Sequence, residues 1–323
     1  MLKIGVLGAG HLGKIHIQLL KENSNIFDLI GFYDHNTETA ESVSEKFNIP
    51  SFPNAIQLIN AVDAVLIVTP TNQHFEAALT VLENGKHLFM EKPMVGSFEE
   101  ALRLLVVAQD KNVHTQVGFV ERFNPAFLAA APILQKVKTI DSIRYAKYNP
   151  RGMDVSVVLD LMIHDIDICL SLIPSKVIQI TASGSAVIGE TIDIARAELL
   201  FENGAQVRLS VSRVHDENKR VSYFASNDSI IKVDFLEKEC ASSSRSSDLY
   251  TALLPKEIEY ATQTTEMTPI VVYQSNALLS ELLSFEDSIR SNQPSILGLK
   301  DGAKALEVAE MIMAAINKEK LFA

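Results

Sequence analysis

The stretch Leu2-Lys3-Ile4-Gly5-Val6-Leu7-Gly8-Ala9-Gly10-His11-Leu12-Gly13 decides how this chain is read. An apolar run with β-branched members, long enough for one buried strand, ends directly on a glycine triplet. Over the residues that follow, His11 to Glu22, Leu12, Ile15, Leu19 and Leu20 recur at helical spacing. A strand that passes through a glycine turn into a helix is the context in which this fingerprint signifies dinucleotide binding. Gly8 makes the tight turn, Gly10 lets a pyrophosphate approach the main chain because it lacks a Cβ, and Gly13 lets helix and strand pack closely. The leading N–H groups of the helix, at His11, Leu12 and Gly13, then face negative phosphates.

Asp28 to Phe32 reads as a second strand, and Asp34 stands just past its end, about 20 residues beyond the glycines as the fingerprint requires. A carboxylate there accepts hydrogen bonds from both hydroxyls of an adenosine ribose and repels a 2′-phosphate. The neighbours His35 and Asn36 supply no arginine for such a phosphate. The expected cofactor is therefore NAD rather than NADP.

With 323 residues, 47% of them hydrophobic, the chain has room for two domains with substantial cores. No apolar run reaches the length of a membrane span, and the amino-terminal residues enter a strand without a signal-peptide pattern, so a soluble cytoplasmic protein is expected. A formal charge of -11 speaks against nucleic acid as a partner, because phosphate-backbone binding rests on clustered Lys and Arg. Cys169 and Cys240 are far apart with no Cys-x-x-Cys pair, which reads as two buried thiols rather than a disulfide or a metal site.

Further along, Thr37–Phe47 and Asn54–Asn60 read as helices, and Asp63–Thr69 as a strand covered on both faces. It runs into the polar turn Thr69-Pro70-Thr71-Asn72-Gln73-His74. In a doubly wound sheet, ligands lie beyond the carboxyl ends of the strands, so Thr69, Pro70, Thr71, Asn72 and His74 join the candidate cofactor set. The same argument adds Glu91 and Lys92, after the strand Lys86–Met90, and Gln116, in the strand His114–Phe119. Strands alternating with helices predict a parallel Rossmann sheet over residues 1–120.

Beyond Val120 the pattern changes. Phe127–Lys136 and Val157–Ile173 read as helices. Asp141–Tyr148, Val177–Ala182, Arg196–Phe201, Ala205–Val211, Val221–Ala225 and Ile230–Phe235 read as strands, with Asn203-Gly204 as a hairpin turn. Strands in succession predict an α+β domain over 121–323 with a large open, mainly antiparallel sheet. Ser242–Ser247 reads as a surface loop. Two helices, Ser275–Ser291 and Asp301–Lys318, close the chain, the second with an Asp N-cap.

Asp160, His164 and Asp167 share one stripe of the helix Val157–Ile173, opposite Leu159, Ile163, Ile166 and Leu170. A water-facing surface and a metal site are the rival readings of this stripe. The helix is so apolar elsewhere that burial is expected, and a buried Asp-His pair is costly unless partnered or used, which favours catalysis. Lys92 lies at the carboxyl end of a parallel strand, where a nicotinamide belongs, and the Lys92-Pro93 bond is a candidate for the cis form.

Gly8-x-Gly10-x-x-Gly13, Asp34, Glu91-Lys92-Pro93 and Asp160-x-x-x-His164-x-x-Asp167 together resemble the Gfo/Idh/MocA oxidoreductases over nearly the whole chain. The resemblance implies a Rossmann domain, a second domain whose open sheet makes homodimer or homotetramer contacts, and NAD(P)-linked chemistry on a sugar or cyclitol. It also implies that Lys92 and His164 touch the oxygen of the reacting carbon. One departure is Met162, where the family often has glycine. Gly118-Phe-Val-Glu-Arg122-Phe-Asn-Pro125 with the Asp160–Asp167 segment is similar to the branch containing UDP-N-acetylglucosamine 3-dehydrogenases.

The expected reaction is oxidation of a secondary alcohol. His164 is the first choice of base, since its ordinary pKa of about 6.5 lies near working pH. Lys92 hydrogen-bonds the same oxygen, the two roles being exchangeable, and Asp160 orients the ring or binds a sugar hydroxyl. Arg122 and Arg151, with Arg213 and Arg220 as further candidates, are placed to meet a diphosphate. A hydride-returning lyase or epimerase and a non-catalytic NAD-binding sugar sensor are the alternatives.

Overall fold

The computed structural model describes residues 1–150, 153, 155–227, 229–244, 255, 258, 262 and 266–320. They form two compact units, Met1–Phe119 with Leu278–Ala303, and Val120–Ala277 with Lys304–Ala323.

The first unit alternates strand and helix: β1 (Leu2–Leu7), α1 (His11–Glu22), β2 (Phe27–Tyr33), α2 (Thr37–Phe47), α3 (Ala55–Ala61), β3 (Ala64–Ile67), α4 (His74–Glu83), β4 (His87–Glu91), α5 (Phe98–Lys111) and β5 (Thr115–Gly118). The five strands are parallel, in the order β2-β1-β3-β4-β5. The chain thus leaves β1 toward one edge and returns to β3 on its other side, which makes the carboxyl ends of β1 and β3 the switch point where ligands bind. Every residue of β3 is buried, as a strand with helices on both faces requires. Local chemistry sets the helix starts: Asn36 and Asn54 cap α2 and α3 through their side chains, and Ser97 with Glu100 forms a capping box on α5.

A linear reading places everything after residue 120 in one domain, and the structure corrects this. Leu282 and Phe285 of α8 (Ala277–Ser291) are wholly buried in a core cluster with Ile4, Val6, Phe27 and Phe89. Each such side chain contributes about 1.5–3 kcal/mol by leaving water, enough to return the segment to the first unit. The helix expected from Asp301 starts earlier, as α9 (Leu299–Lys320). Asp301 lies in its first turn, where its carboxylate accepts the Gly298 N–H at 3.1 Å.

The second unit is built on an eight-stranded sheet in the order β13-β12-β11-β10-β6-β9-β8-β7. Its strands are β6 (Thr139–Tyr145), β7 (Val177–Ser185), β8 (Ile194–Phe201), β9 (Gln206–Ser212), β10 (Lys219–Ala225), β11 (Ser229–Asp234), β12 (Glu239–Ser244) and β13 (Thr268–Ile270). All neighbours are antiparallel except β6 and β9. Gly204, with φ at 81°, closes the expected β8–β9 hairpin. Along β8 and β9, Ala195, Ala197, Leu199, Val207, Leu209 and Val211 are buried, while Arg196 and Glu198 on the opposite face are exposed.

Three expectations change here. The helix predicted at Phe127–Lys136 is α6 (Pro125–Ala130) and a 3-10 turn, Ala131–Ile133, because Pro132 has no N–H to continue the ladder. Ser242–Ser244, expected in a loop, end β12; 245–247 lie outside the described residues. The helix predicted at Val157–Ile173 divides into a π-helical turn, Val158–Met162, and α7 (Ile163–Leu172). No helix among the described residues is long and apolar enough to cross a membrane.

Candidate functional site

In the first unit the glycine turn shows why each glycine stands where it does. Gly8 has φ at +94°, and a Cβ there would meet the Val68 carbonyl oxygen at 2.7 Å. A Cβ on Gly13 would lie 2.1 Å from the Gly8 carbonyl oxygen, so the start of α1 packs directly on the turn. Gly10 differs: nothing lies within 4 Å of where its Cβ would be. Its lack of a side chain serves no contact inside the protein and leaves the main chain open to a ligand.

Asp34 closes the turn from the side. Its Oδ2 accepts the Ala9 N–H at 2.7 Å and its Oδ1 the Asn36 N–H at 2.9 Å. Carboxylate oxygens have lone pairs left for further donors. A cleft of about 400 Å³ is lined by Gly8, Gly10, Asp34, Val68, Thr69 and Pro70, among others. Thr69 Oγ1 is buried with no hydrogen-bond partner among the described residues. Together with the leading N–H groups of α1, at His11, Leu12 and Gly13, these features fit a dinucleotide: an open main chain for a pyrophosphate, an acid for a ribose and a waiting hydroxyl. Thr71 and Asn72 continue as a 3-10 turn, Thr71–Gln73, with Asn72 exposed.

Three expected cofactor ligands are turned inward instead. Gln116 is wholly buried; its Nε2 donates to the Glu281 carbonyl at 2.8 Å and its Oε1 accepts from Ser295 Oγ at 2.7 Å. Glu91 Oε1 lies 2.8 Å from Nε2 of His16, a fully buried residue of α1. His74 is buried with Nδ1 3.0 Å from the Pro93 carbonyl oxygen and Nε2 2.8 Å from the Thr69 carbonyl oxygen. Burial pushes its pKa below the ordinary histidine value, against the pull of those carbonyls and of Glu91. Glu91 ends β4, His74 opens α4 and Gln116 lies inside β5; each is turned onto another buried polar group of the first unit rather than toward a ligand. Lys92, between Glu91 and Pro93, is half-buried, and the Lys92-Pro93 peptide is cis.

The second unit carries the remaining candidates. His164 and Asp167 are buried in α7, and Asp160 is half-buried in the π-helical turn before it. There the Ile163 N–H reaches back to the Val158 carbonyl, a wider step than an α-helix makes. A single straight stripe through Asp160, His164 and Asp167 is thereby broken, and α7 is buried nearly all round. Arg122 Nε lies 3.2 Å from Asp167 Oδ2, with the arginine side chain 19% exposed. Of the other arginines, Arg213 is held by Asp193 at 2.7 Å and by the Val155 carbonyl at 2.7 Å, and so belongs to the fold rather than to a diphosphate. Arg220 is 45% exposed, 3.6 Å from Glu121 Oε1. Arg151 lies outside the described residues.

What holds α7 in place was not anticipated. Arg144, inward-facing on β6, donates to both oxygens of Asp165 at 2.9 and 2.8 Å and to Glu121 Oε1 at 2.7 Å. Burial alone would lower the Arg144 pKa, but the two carboxylates outweigh it and raise it above the ordinary value. His164 immediately precedes Asp165, so this buried triad anchors the histidine's own helix turn to the sheet. His16 was also missed; its signal was a histidine on the same face of α1 as Leu12 and Leu20. Among the described residues no cluster of three or more His, Cys, Asp or Glu is placed to hold a metal ion.

Residues 2–119 match the family model of the Gfo/Idh/MocA oxidoreductases, described as an NAD-binding Rossmann fold, and residues 141–230 match the C-terminal domain of that family. UDP-N-acetylglucosamine 3-dehydrogenase of Acidithiobacillus ferrooxidans is 30% identical over 318 residues, 98% of this chain and 97% of that protein. Its solved structure aligns with a TM-score of 0.88 at 29% identity, covering 98% and 97% of the two chains. Inositol 2-dehydrogenase of Rhizobium meliloti is 24% identical over 336 residues, 98% of each chain.

Proposed function

This chain belongs to the Gfo/Idh/MocA family, NAD-linked oxidoreductases with a Rossmann domain, and from that premise we propose that it oxidises the 3-hydroxyl of a UDP-linked N-acetylhexosamine in the cytoplasm. One observation carries the reading: the likeness to UDP-N-acetylglucosamine 3-dehydrogenase spans nearly all of both chains. It therefore includes the second unit, which bears Arg122, Asp160 and His164, and not only the dinucleotide unit common to the family.

When bound, NAD supplies the acceptor for the hydride that leaves the alcohol carbon. The residues supply the rest. His164 takes the hydroxyl proton through its ring, Lys92 donates a hydrogen bond to the same oxygen and stabilises the charge that develops there, and Asp160 orients the ring or binds a neighbouring hydroxyl. Arg122, kept in place by Asp167, meets the diphosphate as a bidentate donor, with Arg151 as a second candidate. In the first unit the glycine turn takes the pyrophosphate and Asp34 the adenosine ribose. Arg196 and Glu198, exposed on the open face of the second unit's sheet, mark the surface through which a homodimer or homotetramer forms.

The test is the absorbance of NADH when the purified protein and NAD are offered UDP-N-acetylglucosamine, inositols and free hexoses in turn. NADH accumulating with the nucleotide sugar alone supports the reading. Accumulation with an inositol instead, or a product formed without net NADH, replaces it with a cyclitol dehydrogenase or a hydride-returning enzyme.

A further inference from the structure

Each sequence neighbour of Lys92 is gripped by a buried histidine, and the two histidines come from different helices of the first unit. On the amino side, His16 of α1 meets the Glu91 carboxylate at 2.8 Å. Gly118 backs that carboxylate so closely that a Cβ there would lie 2.7 Å from Glu91 Oε2, which leaves the side chain little room to shift. On the carboxyl side, His74 at the start of α4 has Nδ1 3.0 Å from the Pro93 carbonyl oxygen and Nε2 2.8 Å from the Thr69 carbonyl oxygen; the neutral ring has one N–H, and in the Nδ1–H tautomer it donates to Pro93. The turn that bears Lys92 is thus tied to the helix that follows the glycine turn and to the end of the turn that follows β3, and the glycine turn and the turn after β3 both line the dinucleotide cleft.

We propose that His16 and His74 are positioning residues for Lys92, holding the main chain on either side of it so that its ammonium is aimed by the same elements that seat the cofactor. The proposal rests on the reading of Lys92 as a group that touches the substrate oxygen. A lysine stem is flexible, and an error of about 1 Å in the placement of a catalytic group can cost roughly a hundredfold in rate. Rigidity of the main chain at Glu91 and Pro93 is what limits that error. Service to the fold alone would not require two separate helices to converge on one turn, one on each side of its lysine.

Substitutions that keep one ring nitrogen's contact at a time separate positioning from packing. Asparagine reproduces a histidine's Nδ1 contact and glutamine its Nε2 contact. His74→Asn therefore keeps the Pro93 contact and loses Thr69, whereas His74→Gln keeps Thr69 and loses Pro93. His16→Gln keeps the donor to Glu91, and His16→Leu removes it. We expect kcat with UDP-N-acetylglucosamine to fall about tenfold or more in His74→Gln and His16→Leu, while NADH dissociation constants from fluorescence stay within about threefold of the parent. His74→Asn and His16→Gln should turn over several-fold faster than their partners. In the protein without cofactor or substrate, the rate of reductive methylation at Lys92, read by mass spectrometry, should rise in His74→Gln and His16→Leu only.

Equal losses in the two His74 variants, turnover that follows only the melting temperature, or methylation at Lys92 that none of the variants changes would overturn the proposal. Lys92→Ala is the control that keeps the two readings apart. Loss of turnover in Lys92→Ala without loss in the histidine variants overturns the positioning role alone. Retained turnover in Lys92→Ala overturns the role of Lys92, and the methylation rates then decide whether the histidines hold its turn.

Discussion

Asp34 Oδ2 accepts the backbone N–H of Ala9 at 2.7 Å, so the acid that ends β2 also fixes the glycine turn that ends β1. One carboxylate serves the fold and the cofactor together. Asp34→Ala should therefore weaken NADH binding by about tenfold or more, as expected for loss of a charged hydrogen-bonding group. Asp34→Asn, which keeps an acceptor oxygen, should weaken it less, and Asp34→Ser should gain use of NADP. Titration of NADH and NADPH fluorescence reads all three; equal affinities across the series would remove the ribose contact.

The contrast between Gly10 and Gly13 gives a second prediction. Gly10→Ala has room inside the protein, so its melting temperature should stay within about 2 °C of the parent while NADH affinity drops by roughly tenfold or more. Gly13→Ala drives a Cβ into the Gly8 carbonyl at 2.1 Å and should lower the melting temperature by several degrees. Parallel melts and NADH titrations check both, and a Gly10→Ala protein that binds NADH normally would contradict the assigned role.

Lys92→Ala and His164→Ala should each lower kcat by about a hundredfold or more, with NADH affinity within about threefold of the parent. Steady-state rates beside fluorescence titrations separate the two effects. Normal turnover in both variants would leave the proposed chemistry without its acid and base.

Asp193 gives a pH-dependent signature unrelated to catalysis. Burial would raise its pKa, but the Ile188 and Val187 N–H groups and Arg213 outweigh this and hold it at about 2, below the ordinary 3.8. A carboxyl whose pKa is depressed on folding contributes stability above its unfolded pKa and loses it as pH falls through the folded value. The melting-temperature gap between the parent and Asp193→Asn should be full at pH values above about 4 and shrink toward zero near about pH 2. A gap independent of pH would assign the effect to packing alone.

The dinucleotide turn was legible in the sequence because its recognition is local and uses the main chain: Gly8, Gly10, Gly13 and Asp34 carry it by spacing alone. At the strand ends the positions were legible but the directions were not. Glu91 at the end of β4, His74 at the start of α4 and Gln116 inside β5 each turn inward onto another buried polar group. In α7 the phase was lost for a different reason, since the π-helical turn at Val158–Met162 shifts every residue before it relative to those after. Asp165, which lies between His164 and Asp167 in sequence, is the anchor to Arg144, a pairing between distant residues that periodicity cannot report. The oxidoreductase class and NAD, both readable from motifs, agree with the family to which the chain belongs.

Leu282 and Phe285, contributed by a segment more than half the chain away from β1, complete the hydrophobic cluster that holds Ile4, Val6 and Ala9. During synthesis, the amino-terminal strands emerge from the ribosome long before α8 exists, and their apolar surface stays uncovered meanwhile. The cofactor-binding half thus reaches its finished form only once α8 has been made, and a product stalled before Ala277 would be a target for chaperones and proteases rather than a working nucleotide-binding fragment.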